Sequence, residues 1–155
     1  MNSADLKRLF GINHRVLHIN LDGVSNEEAL VQPQSGGNCI NWVVGHIVAT
    51  RGAVFLAMGS EPSWPEKESS RYQRHSRPIT GPGDGVPFDR LVQEFDRSQE
   101  RLQSALGNLS DADLAKPLED GTVGEQLSVL HFHEAYHLGQ LGLLRRIAGK
   151  EGAIK

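Results

Sequence analysis

The sequence predicts an all-α protein, a four-helix bundle with a long loop between its second and third long helices. Three observations predict it. Four long segments repeat their apolar residues at helical spacing, capping residues precede them, and no stretch alternates apolar and polar side chains as a half-buried strand does. The 155 residues suit one domain spanning 1–155, long enough to bury a hydrophobic core.

Taken in order, Ser3 is the expected cap of a first helix bearing Leu6, Leu9, Phe10, Val16, Leu17 and Leu21 and ending near Gly23. Ser25 and Glu28 have capping-box spacing, which predicts a short helical turn over 26–30. After a loop over 33–37, Asn38 is the expected cap of a second helix over 39–58. That helix has no charged side chain before Arg51, and its apolar residues spread around most of its circumference, as in a helix buried on several sides.

Residues 59–86 are rich in Pro, Gly, Ser and charge and read as a long loop wrapping one end of the bundle. Pro87 and Asp89 open a third helix with Phe88, Leu91, Val92, Phe95, Leu102 and Leu106 inward. Arg90, Glu94, Asp96, Arg97, Glu100 and Arg101 give it a solvated face. Ser110 and Asp113 start another short turn. Thr122 and Glu125 form a capping box before the last helix, expected to reach Ala148 and stop at Gly149.

Composition narrows the function classes. The net charge is -3, with no stripe of Lys and Arg interleaved with aromatics, so nucleic acid is not the expected partner. Apolar stretches are interrupted too often to suggest a membrane span, and the N-terminus lacks the pattern of a secretory signal. Cys39 is the only cysteine, so no internal disulfide can form. A cytoplasmic location is the resulting expectation.

The seven histidines carry the chemistry, and they are not equivalent. His133 and His137 lie one helical turn apart, about 40° apart around the axis, on the side of Leu130, Leu141 and Leu144. Two imidazoles buried among leucines need partners for their nitrogens, either separate hydrogen bonds or a shared metal. A firmly held metal with an open position needs a third protein ligand, and His46, in the charge-free segment NWVVGHIV, is the best candidate. Gly45 beside it permits close approach of a neighbour.

The other histidines are set aside. His131 points nearly opposite to His133, and His75 falls in the polar loop. His14 and His18 have metal-pair spacing but lie on the flank of the first helix, which favours a solvated or interface role. Cys39 is two turns from His46, too far to share a coordination sphere.

The segment from His133 to His137 also spells H-E-x-x-H, the zinc-protease signature, in which Glu134 would activate water. Only 18 residues follow His137, and Gln140 and Leu143 stand where the extended motif needs Gly and His, so a zinc hydrolase of that type is disfavoured. Glu134 and His137 form one E-x-x-H pair without the second copy that a di-iron bundle requires.

With these residues placed, the chain resembles the DinB/YfiT-like metalloenzyme superfamily. The likeness rests on NCINWVVGHI, residues 38–47, and on HEAYHLGQLGLLRRIAGK, residues 133–150. It implies up-down-down-up connectivity, a homodimer, and a divalent metal (zinc first, nickel or another ion otherwise) on His46, His133 and His137 with water completing the shell. It also implies a small-molecule substrate and, by analogy with relatives, transfer of a low-molecular-weight thiol such as bacillithiol, mycothiol or glutathione. Glu134 is then a candidate base or outer acceptor, Gln140 a candidate orienting group, and Trp42 a candidate pocket wall. Each is equally compatible with ordinary packing. The leading expectation is an enzyme activating a thiol or water; the alternative is a non-catalytic metal-binding or stress-response protein.

Overall fold

The computed structural model describes residues 1–154. Four long helices, α1 (Ser3–Leu21), α2 (Ile40–Ala57), α4 (Phe88–Gly107) and α6 (Val123–Ile147), form the bundle. The short helices α3 (Glu66–Ser69) and α5 (Asp111–Leu114) and two 3₁₀ turns (Glu28–Leu30, Ser70–Tyr72) complete the order, with no strand among the described residues. α1 and α2 stand diagonally across the bundle, each packed against both α4 and α6.

Local chemistry explains most boundaries. The capping boxes expected at Ser25 and Thr122 form, and Ser110 with Asp113 makes a third at the start of its short helix. At α1 the cap is Asn2 rather than Ser3, because Asn2 and Asp5 exchange both capping-box bonds. Ser3 instead donates its hydroxyl to the carbonyl of Leu106. At α2 the cap position falls on Cys39, not Asn38, and no side chain caps it. Gly149, at φ 88°, ends α6 in the left-handed conformation that glycine adopts without strain.

The span 59–86 is more ordered than a wrapping loop. It buries Trp64, Tyr72 and Ile79, and its helical turns pack along α2. Asp84 gathers Arg71, Arg77 and both donors of Thr80, which closes the segment on itself. α2 is long and apolar enough to cross a membrane by length and composition, yet 72% of that window is buried inside the protein. Its second apolar face is covered by the 59–86 segment rather than by lipid.

The core falls into two clusters. One contains Leu17, Val44, Ile47, Phe95, Leu138 and Leu141; the other contains Leu6, Phe10, Phe55, Leu102, Leu106 and Leu127. Along α2, α4 and α6 the chain passes from one to the other through buried polar residues: Arg51, Ser98 with Gln99, and Glu134. The Arg51 guanidinium, 1% exposed, directs its five N–H groups at five acceptors: both Glu134 oxygens, the Phe95 carbonyl, Ser98 Oγ and Gln99 Oε1. This polar layer is fully hydrogen-bonded, the condition under which a buried charge is tolerated.

Candidate metal centre

The three histidines expected to share a metal come together just on one side of the polar layer. His133 and His137 stand one turn apart on α6, and α2 supplies His46 opposite them. His46 Nε2 lies 3.3 Å from His133 Nε2, and His137 Nε2 lies 3.2 Å from the same atom. His46 and His137 are buried.

The outer face of each ring decides what the inner face can do. His46 Nδ1 is 2.7 Å from the carbonyl oxygen of Tyr72, and His137 Nδ1 is 2.7 Å from Gln140 Oε1. A carbonyl oxygen only accepts, so both Nδ1 atoms carry the proton and both Nε2 atoms present lone pairs. His133 Nδ1 is buried without a partner. Even if His133 Nε2 carries a proton, it can satisfy only one of the two lone pairs aimed at it. A cation satisfies all three.

The spacing fits one. Ligand nitrogens about 2.0–2.1 Å from a tetrahedral ion stand about 3.3 Å apart, close to the separations found. Burial holds His46 and His133 below the usual histidine range, and burial of His137, opposed by its bond to Gln140, takes it to about 4. All three are therefore neutral near pH 7, the protonation state a metal requires.

The surroundings are built from three elements. The Trp42 indole stacks on the His46 ring at 4.8 Å and 14°, and its Nε1–H donates to Ser76 Oγ. Gly45 makes room for Tyr72, since a Cβ there would collide with the Tyr72 ring. The neighbour admitted by that glycine is thus a side chain from the 59–86 segment, not a helix backbone. Tyr72 is itself pinned by its hydroxyl, which donates to Asn41 Oδ1 and accepts from Val86 N–H. The Tyr72 carbonyl was not identifiable in the sequence, because a main-chain group leaves no residue signature.

Gln140 lies against His137 Nδ1. Glu134 does not turn to the histidines: both of its oxygens are taken by Arg51, at 2.9 and 3.1 Å. His131 packs edge-on against Phe10, and His75 lies in the 59–86 segment at φ 68°. His14 and His18 stand half-exposed between α1 and α4, both rings meeting Asp96. Asp96, its side chain 42% exposed, lies at the edge of the solvated face of α4, and nothing in the sequence registers that edge against α1.

Residues 10–141 match the family model for the DinB superfamily, a span containing all three histidines of the centre. No curated protein sequence matches the chain.

Proposed function

The chain belongs to the DinB superfamily, and from that premise we propose that it is a metal-dependent enzyme acting on a small molecule. Its ligands are Nε2 of His46, His133 and His137. The observation that carries this reading is the convergence of three Nε2 atoms, two with their tautomer fixed from outside by Tyr72 and Gln140. An all-imidazole set suits zinc best among divalent ions, with nickel a close competitor.

A bound ion would supply Lewis acidity, bringing the pKa of a small thiol or of water toward neutrality. The chain's own residues do the rest. Tyr72 and Gln140 fix ring orientation, as outer hydrogen-bond partners of metal-bound histidines do. Trp42 forms an apolar wall beside His46. Glu134, ion-paired to Arg51, ties α6 to α2 next to His133 and acts by positioning rather than as a base.

That engagement of Glu134 is also what favours the second reading, a metal-holding protein without catalysis. A homodimer fits both readings. Val129, Phe132, Tyr136 and Leu143, each about 60–70% exposed, follow one another at helical spacing along the outer face of α6. This stripe passes beside His133 and His137, so a second copy seated there would wall the centre.

The test begins with metal analysis of purified protein, which should find one tightly held ion that His137→Ala abolishes. Absence of that ion refutes both readings. An electrophile is then offered with bacillithiol, mycothiol, glutathione or water alone. Turnover with a thiol supports a transferase, turnover with water a hydrolase, and no turnover with metal present leaves the non-catalytic reading. Light scattering of wild type and Phe132→Glu checks the dimer; an unchanged mass in the variant rejects this interface.

A further inference from the structure

We propose a second divalent-metal site, independent of the first, formed by His14 and His18 of α1 with Asp96 of α4. The two histidines are one helical turn apart, and their ring centroids are 4.7 Å from each other. Both aim Nε2 at the same carboxylate oxygen, Asp96 Oδ1, at 2.8 Å and 2.7 Å. All three donor atoms lie within 4.8 Å of one another.

The arrangement is built rather than incidental. His14 stacks on Phe95 at 5.5 Å and 10°, and the Arg51 guanidinium sits 3.8 Å from the centroid of that same fully buried phenyl ring. The His14 ring therefore rests on a support fixed by the polar layer of the core. His18 is held by the helix one turn further on, and Asp96 follows Phe95 directly. Two elements that are distant in sequence thus present two imidazoles and a carboxylate to one point.

Hydrogen bonding alone uses this set poorly. Two N–H donors converge on one oxygen, while Oδ2 is left to solvent. Replacing the two Nε2 protons by one cation lets all three groups donate lone pairs. Ligand atoms about 2.0–2.1 Å from a shared ion stand about 2.9–3.3 Å apart, so the two Nε2 atoms need move only a few tenths of an ångström from Asp96 Oδ1 to admit one. The side chains are 30–42% exposed, so water can fill the remaining positions.

Two nitrogens and one carboxylate suit a first-row ion such as Zn²⁺, Ni²⁺ or Cu²⁺ better than Mg²⁺ or Ca²⁺, which prefer all-oxygen shells. Solvent competition makes this site weaker than the buried three-histidine centre. Filling it would clip α1 to α4.

The experiment is a Zn²⁺ titration of the metal-free full chain by calorimetry, with circular dichroism as the check on folding. Wild type should take a second, weaker equivalent of zinc. His18→Gln and Asp96→Asn should each lose that equivalent and keep the tight one, whereas His137→Gln should lose the tight one and keep the weaker. Because His18→Gln and Asp96→Asn leave the core untouched, their spectra should match wild type. If wild type takes no second equivalent, or if the second equivalent survives both His18→Gln and Asp96→Asn, the proposal is wrong.

Discussion

Replacing Glu134 separates two explanations of the H-E-x-x-H string. If Glu134 is structural, its value lies in compensating Arg51, which is 1% exposed and donates two of its five hydrogen bonds to this carboxylate. Glu134→Ala leaves a buried guanidinium uncompensated, a change that costs about 3–5 kcal/mol. For a domain of this size each kcal/mol lowers Tm by about 2–4 °C, so the expected loss is about 6–20 °C. Thermal unfolding should be followed on the metal-free protein, because bound metal adds its own stabilisation.

The cycle closes with Arg51→Met and the double variant Arg51→Met/Glu134→Leu. Each single change strands a partner, but the pair removed together leaves an apolar layer with only Ser98 and Gln99 to resettle. The double variant should therefore recover most of the loss, giving a coupling of at least about 2 kcal/mol. Glu134→Gln should keep its metal throughout. A Glu134→Gln protein that melts like wild type but loses metal or turnover would refute this account and return Glu134 to the metal.

Three further outcomes are expected. Gln140→Leu removes the acceptor of His137 Nδ1–H and should weaken metal binding about 10–100-fold with little change in unfolding of the metal-free form, measured by chelator competition. Gly45→Ala drives Tyr72 from its seat, so the same measurement should show weaker binding, and near-ultraviolet dichroism should report the displaced Tyr72 and Trp42 environment. For pH, the folded His137 sits at about 4 against an unfolded value of 6.5, so the unfolded chain binds the extra proton between these values. The stability this neutral histidine contributes is complete above pH 6.5 and lost as pH falls toward 4, a difference on the order of 3 kcal/mol. Denaturant melts of the metal-free protein across that window should show the loss, and His137→Gln should reduce it, leaving the part that the buried His46 and His133 contribute.

Within-helix information was the part of the molecule that the sequence made readable. The i,i+4 pair at His133 and His137, the caps at Thr122 and Ser110, and the charge-free α2 are all statements about neighbours three or four residues apart, and all three hold. His46 could be joined to the pair because a firmly held metal needs a third protein ligand, and His46 stands in the middle of the charge-free α2. What failed were relations between segments. Glu134 looked free because Arg51, 83 residues earlier, has no sequence signal linking it to α6.

The same reasoning explains why 59–86 was underestimated and why it matters. Its Pro, Gly and charged residues describe a surface segment, and most of it is one. Yet α2 has apolar residues on more sides than α4 and α6 could cover, so something else had to lie against it. Tyr72, Ile79 and Trp64 are that cover, and Gly45 is the gap that admits Tyr72. Once Tyr72 is seated, its carbonyl accepts a hydrogen bond from His46 Nδ1–H and turns the Nε2 lone pair toward α6. The Gly45–His46 pair therefore works as a unit: the glycine exists to bring in the main-chain acceptor that makes the histidine a ligand. A change anywhere along the Asn41–Tyr72–Val86 hydrogen bonds should be felt at the metal before it is felt in the fold.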